Sequence, residues 1–405
     1  MNSRLDSFLL RAEQTLDKYA LALRSIASGF LLGRFTNEVN ESNTTFFKAI
    51  RGTFDFSQRD NNTLSWIALI VVIGLPFGIR KLMLFNRRRQ RTEVFSKILK
   101  KYRSELVAPI SGMAWGSSVT LQSAPNIYSG WRHDEVSFDH RAQHFSFPQD
   151  VQEAYATFCG DNHDRHRLAD DGVKVWLTRN PVSFVDSPRL VLETRLARYS
   201  QCKFKEERLV PDAEWREAML REVVNGTIGF PHALCLHAIV TTADDRVLLT
   251  KRSSKVAYYP GNWSCSLEEQ LIPEDLVRND SVILYWSHRM LDEELGIGPS
   301  ELNEEDVRVM SVFLEADTMN VSLCASIALA IDSSELDNRL KLLPRKDYEF
   351  VDWQFMTYDE LAEELRSPSN HHHGSAGYRM LFALIRRLGN PGAIERILRQ
   401  RGFSS

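Results

Sequence analysis

The sequence predicts an α+β fold carried behind a transmembrane helix. Three observations predict it. From about residue 170 onward, short alternating or wholly apolar runs recur between turn residues, as half-buried or buried strands do. They are interrupted by an amphipathic stretch in which Val282, Ile283, Trp286, Met290 and Leu291 fall at helical spacing and Gly296 suits a C-cap. Well upstream, nineteen uncharged residues separate Asp60 from Arg80, close to the roughly 20 needed to span a bilayer.

Length and composition bound the rest. At 405 residues the chain exceeds one typical domain, and 43% hydrophobic with 25% charged content is that of an ordinary globular protein. A net charge of −3 gives no argument for a nucleic-acid polymer as partner. The five cysteines (Cys159, Cys202, Cys235, Cys265, Cys324) are scattered without metal-knuckle or redox spacing, which predicts reduced thiols in a reducing compartment.

Residues 1–60 form an N-terminal helical region. Leu5, Phe8, Leu9, Ala12, Leu16, Tyr19, Leu23 and Ile26 share one face of a helix over 3–35, suited to oligomerising, lying in an interface or packing on the 44–58 segment. No signal peptide is expected, since charges crowd the first twenty residues. Residues 61–85 hold the span, centred on Trp66 to Leu75, and the start of its basic flank: Arg80, Lys81, Arg87, Arg88, Arg89 and Arg91. Such a flank stays cytoplasmic and touches anionic headgroups. The expected topology is single-pass, N-terminus out, with the C-terminal part cytosolic.

An α+β lead-in occupies 93–225. Val173 to Thr178 and Leu190 to Leu196 read as strands, and a helix is expected near 212–224. Its Asp161-x-His163-Asp164-x-His166 run is expected to be a solvated loop rather than a metal site. From 232 the pattern sharpens. Strands are expected at 232–241 and 246–252 around an Asp244-Asp245 turn, then at 307–315, 321–331 and 349–355. An acidic helix begins near Thr357, and a closing helix carries Tyr378, Leu381, Leu384, Ile385 and Leu388.

The stretch Arg289-Met290-Leu291-Asp292-Glu293-Glu294-Leu295-Gly296-Ile297 resembles the second half of the Nudix box, Arg-Glu-U-x-Glu-Glu-x-Gly-U, where U is a bulky aliphatic. Six positions match, and Met290 stands where the box has glutamate. Strands, box helix, strands and a final helix also follow the order of the Nudix fold, so the resemblance implies a mixed sheet between helices over 230–390. It implies Mg2+ as cofactor, with Glu293 and Glu294 as catalytic and metal-binding carboxylates. A helix face joins positions i, i+3 and i+4, and Arg289 can orient Glu293 from one turn away. The front of the box departs further: Leu267-Glu268-Glu269-Gln270 replaces a Gly-Gly loop, and the spacing to Arg289 is longer. Glu268, Glu269 or Glu274 could replace a ligand, and Glu349 sits where many Nudix folds place a late acidic residue. Arg252, Lys255, Tyr258, Tyr259 and Trp263 would line the mouth of such a fold; with Arg289 they suit a nucleotide, phosphates pairing with Arg and bases stacking on aromatics. His371-His372-His373 reads as a loop or a metal-binding run, and the turn from Ser375 to Arg379 could favour an anion.

The whole architecture resembles the membrane-anchored Nudix effectors of bacterial cyclic-oligonucleotide antiphage systems (CBASS). That resemblance implies an inner-membrane, homo-oligomeric protein that binds a cyclic nucleotide through its cytosolic part and disrupts the bilayer. The alternative is a membrane-tethered Nudix hydrolase that cleaves a nucleoside diphosphate derivative with Mg2+.

Overall fold

The computed structural model describes residues 114–115, 117–163, 171–181, 189–256, 258–277, 281–343, 349–366 and 371–389. The N-terminal helical region, the candidate span with its basic flank, and the start of the lead-in lie outside them. Among the described residues no helix is long and apolar enough to cross a membrane.

The lead-in begins with strands β1 (Ala114–Trp115), β2 (Ser118–Ser123), β3 (Trp131–Arg132) and β4 (Val136–His144), followed by helix α1 (Gln149–His163). Asp161 and His163 thus end a helix rather than lie in a loop, because the helical stretch runs on past Asn162, whose amide bonds back to the Phe158 carbonyl at 2.8 Å. Strands β5 (Val173–Leu177) and β6 (Leu190–Arg198) come next, then α2 (Tyr199–Phe204), which runs into a π-helical turn at Lys205–Leu209. Helix α3 (Ala213–Val224) starts at Asp212, whose carboxylate accepts from the N–H groups of Glu214 and Trp215.

The second half comprises β7 (Cys235–Thr241), β8 (Val247–Arg252), β9 (Trp263–Ser264), β10 (Leu267–Gln270), α4 (Val282–Leu295), β11 (Arg308–Glu315), β12 (Asn320–Ala328), α5 (Ser333–Leu342), β13 (Phe350–Met356), α6 (Tyr358–Arg366) and α7 (Ala376–Leu388). The fold is α+β, with a mixed sheet between helices. Its strand order is β1-β2-β11-β12-β7-β8-β13, with β10 added to β7, β3 to β11 and β9 to β8. Only the β7–β12 ladder of this sheet is parallel among the described residues.

The period-2 alternation of β7 sets the two layers. Leu236, Ala238 and Val240 face one core with Ile283, Trp286 and Met290 of α4 and Leu336 of α5. Ile239, on the other face, packs with Tyr378, Leu381 and Phe382 of α7. Helix α4 is delimited as its sequence suggests: Ser281 Oγ caps the Leu284 N–H, and Gly296 takes φ 63° while its N–H reaches the Asp292 carbonyl. That left-handed turn is one that glycine adopts without a Cβ penalty.

The lead-in's own sheet, β4-β6-β5, is stitched to the main one. The Val175 N–H donates to Leu271 O (3.4 Å), and the Leu234 N–H donates to Val175 O (2.9 Å). Val175, Leu177, Leu190 and Leu192 join the core that holds Leu236 and Trp286. The described residues all belong to one compact unit.

Candidate functional site

The pleat of β10 separates two adjacent glutamates. Successive strand residues point to opposite faces. Glu268 lies opposite His237 in the β10–β7 ladder and Glu269 opposite Leu236, so Glu268 faces α7 and Glu269 faces α4. Each face supplies arginine. Arg379 of α7, wholly buried, donates to Glu268 Oε1 (2.5 Å) and Ser264 Oγ (2.6 Å). Arg252, at the end of β8, donates to Glu268 Oε2 (2.5 Å). Burial acts to raise the Glu268 pKa, but Arg252 first, then His373 and Arg379, outweigh it and hold the carboxyl well below the usual range. The anion expected at the first turn of α7 is thus the chain's own Glu268.

On the other face Arg289 grips the buried Asp275 with a two-pronged contact (3.0 and 2.9 Å) and donates to Gln270 O (2.8 Å). It also pairs with Glu269 at 3.0 Å and with Glu293 at 3.5 Å. Asp275 is therefore its main partner, in the planar fork geometry that arginine favours. Orienting Glu293 is a lesser part of its role.

Met290 lies in the buried stripe of α4, between Ile283, Trp286 and Leu291, and is 0% exposed. Glu294 continues that stripe one turn later, while the Glu293 side chain is 56% exposed. Glu294 Oε2 is buried without a hydrogen-bond partner. Burial first, and then Glu349 and Glu269, push its pKa up to about 8. Burial also raises Glu269 and Glu349. These carboxylates feel one another, yet among the described residues no three His, Cys, Asp or Glu side chains are arranged to hold a metal ion. A Mg2+ ligand set therefore does not fit as the residues stand: Arg289 already occupies Glu269, and Met290 contributes no oxygen.

A cavity of about 310 Å³ lies beside the Glu268 network. Its inner wall is a buried polar chain. Ser375 Oγ meets Nδ1 of both His237 and His373 at 3.0 Å. His373 Nε2 faces Glu268 (3.4 Å), and His237 Nε2 faces Glu315 (3.7 Å). Burial keeps both imidazoles neutral, taking His373 down to about 3 and His237 well below its ordinary value. Burial, and then Glu268, push Glu315 up to about 8, so near neutral pH Glu268 is ionised and Glu315 carries a proton. Glu315 Oε1 has no hydrogen-bond partner. The Tyr259 ring lies 4.2 Å from that of His373, and Gly374 permits this close approach: a Cβ there would meet the Tyr259 hydroxyl at 2.6 Å.

No family model matches the chain, and no curated protein matches it. Among solved structures, a Nudix hydrolase from Nitrosomonas europaea is 15% identical over 41% of this chain and 78% of its own, with a TM-score of 0.25. A MutT protein from Methanosarcina mazei is 14% identical over 42% and 95%, with a TM-score of 0.25. A Deinococcus radiodurans protein is 13% identical over 36% and 80%, with a TM-score of 0.27. The assignment of this site rests on its own residues.

Of the sequence-nominated residues, Arg252, Tyr258, Tyr259, Glu268, Glu269 and Glu349 line the cavity; Lys255, Glu274, Arg289, Glu293, Glu294 and Trp263 are not among its lining residues. Trp263 packs against the α7-side core, and its backbone bonds to His371 and His373. That pairing makes the His371-His372-His373 run a strand-like segment that delivers His373 to the inner wall. Sequence reasoning missed His237, Glu315, Lys174 and Tyr199, and it named the His371-His372-His373 run without placing His373 beside them. The available signal was a histidine and a glutamate inside otherwise apolar strands.

Glu315 gives a pH prediction. Its folded pKa is above its unfolded value, so between about 4.5 and 8 the folded state holds a proton that the unfolded chain has released. Stability contributed by the protonated group is then lost as pH rises through that window. Glu315→Gln removes the dependence, and its melting temperature is expected to gain on the wild type from pH 5 to about pH 8 and to level off above it. A constant difference across that range would show that Glu315 does not carry the proton.

Proposed function

We propose that residues 230–390 form a Nudix-like domain that binds a phosphorylated nucleoside, a cyclic nucleotide in the fullest form of the reading, and does not hydrolyse it. The observation that carries this is the pairing of a cavity lined by three tyrosines, Lys174 and Arg252, alongside Glu268, Glu269, Glu315 and Glu349, with Met290 buried in place of a box carboxylate. Arg252, Lys174, Tyr199, Tyr258 and Tyr259 border a space of about 310 Å³, within the range of small-ligand sites. Phosphates pair with Arg and Lys, and bases stack on tyrosine. Diphosphate hydrolysis requires divalent metal to offset phosphate charge and activate water, and the described carboxylates do not supply its ligand set. In the full reading, segment 61–79 anchors the chain in a bacterial inner membrane. Ligand binding biases assembly of the N-terminal helices toward a membrane-disrupting state, as in the antiphage effectors that the sequence resembles.

A second reading, a Mg2+-dependent diphosphate hydrolase, draws on the unpartnered Glu294 Oε2 beside Glu269 and Glu349. One experiment separates the two. The full-length chain is incubated with Mg2+ and a panel of cyclic oligonucleotides and nucleoside diphosphate compounds, and bound and free fractions are chromatographed. An intact nucleotide in the bound fraction is the expected result. A cleaved diphosphate establishes the hydrolase, and failure to bind or cleave anything removes the nucleotide reading.

A further inference from the structure

The lead-in region supplies a wall of the cavity. Its strand β5 bonds to Leu234 and Leu271, the residues flanking β7 and β10, and this brings Lys174 to the cavity. Tyr199, the first residue of α2, lines the same wall, with Lys174 Nζ 5.8 Å from its ring centre. Two further lysines of this segment hold other walls in place. Lys203 Nζ sits 4.0 Å over the ring of Tyr258. Lys205, wholly buried in the π-helical turn, donates to Thr318 O (2.7 Å), Met319 O (3.0 Å) and Asn320 Oδ1 (2.9 Å). Thr318 and Asn320 line the cavity.

Two side chains are left with unmet capacity toward the space these walls enclose. Among the described residues no carboxylate pairs with Lys174. Glu315, 6% exposed, borders the cavity with Oε1 unpartnered. A buried polar atom without a partner costs free energy, and a ligand supplying one recovers it.

We propose that the lead-in selects the ligand: Lys174 takes a phosphate, and Tyr199 together with the Lys203-braced Tyr258 takes a base. This rests on the nucleotide-binding reading and adds to it which part of the chain discriminates. The lead-in is then a recognition element built into the site rather than a connector between anchor and domain. A lysine is a compact point charge that attracts phosphate without demanding one orientation, whereas a tyrosine face is indifferent to phosphate and responds to the base.

The test uses the full-length chain and calorimetric titration with the four common nucleoside diphosphates, cyclic di-AMP and inorganic pyrophosphate. Lys174→Met is expected to weaken nucleotide and pyrophosphate alike, about tenfold, the equivalent of one charge-assisted contact. Tyr199→Leu is expected to weaken the preferred nucleotide about tenfold and leave pyrophosphate unchanged, while Tyr199→Phe, which keeps the ring, binds like the wild type. Both positions are half-buried, and melting temperatures of the variants identify any loss caused by misfolding. If wild type binds nucleotide but not pyrophosphate, the contrast between Tyr199→Leu and Tyr199→Phe decides. Folded Lys174→Met and Tyr199→Leu proteins that bind as the wild type does would overturn the assignment while leaving the nucleotide reading standing. Equal loss of pyrophosphate binding in Tyr199→Leu would overturn the base-stacking role. A wild-type chain that binds none of the probes overturns the nucleotide reading, and this assignment with it.

Discussion

Replacing Arg379 by leucine is expected to destabilise the protein by about 3–5 kcal/mol, the usual cost of removing one partner from a buried ion pair. The guanidinium is 0% exposed, and its group of acceptors is spread over three segments: Glu268 and Leu267 on β10, Ser264 on β9 and Ser375 at the start of α7. Without it, Glu268 keeps Arg252 but loses its second cation while still buried at 9% side-chain exposure. Two controls tie the loss to charge rather than volume. Arg379→Lys retains the cation but not the fork, so an intermediate loss is expected. In the double variant Glu268→Gln with Arg379→Leu, the orphaned charge is gone, and the two losses should sum to less than their parts. Thermal melts of the wild type, these three variants and Glu268→Gln alone check this. A loss under about 1 kcal/mol in Arg379→Leu would mean that the pair does not hold the inner wall of the cavity.

The same arginine illustrates how far the sequence could be read. Period-3.6 and period-2 patterns placed most strands and both flanking helices, since hydrophobic spacing is a local property. Gly296 marked the end of α4 because only the chain's own neighbours enter a C-cap. The box resemblance named Glu293, Glu294, Glu269 and Glu349, which the structure brings into electrostatic contact around Glu294. What could not be read was the pairing across distance. That Glu268 faces Arg379 while Glu269 faces Arg289 follows from the register of β10 on β7, which no local pattern states. His237, Glu315 and His373 converge from β7, β11 and the turn before α7, and each taken alone is an ordinary polar residue in an apolar setting. The part played by Lys174 and Tyr199 was invisible for the same reason: it depends on β5 docking beside Leu234 and Leu271.

The substitution Met290→Glu, which restores the one mismatch in the stretch that resembles the second half of the box, is expected to lower stability by about 3 kcal/mol without creating a Mg2+ response. Met290 is fully buried among Ile283, Trp286 and Leu291 of its own helix. A carboxyl placed there would sit one turn from Glu294, whose own pKa burial already pushes up to about 8. It would therefore take a proton in the folded state and release it in the unfolded one, so the loss should deepen from pH 5 to pH 8. Met290→Leu, a swap of similar volume, is expected to cost less than about 1.5 kcal/mol and isolates the effect of the carboxyl. Melting curves with and without Mg2+ for the three proteins provide the measurement. If Mg2+ instead recovers the stability of Met290→Glu, and nucleoside diphosphates are then cleaved, the carboxylates around Glu294 would be a metal site lacking a single ligand. The chain would then be a hydrolase disabled at one position, and the binding reading would lose its ground. If Mg2+ leaves the variant as unstable as before, the methionine belongs to the core, and the cavity beside Glu268 is the place where the protein meets its ligand.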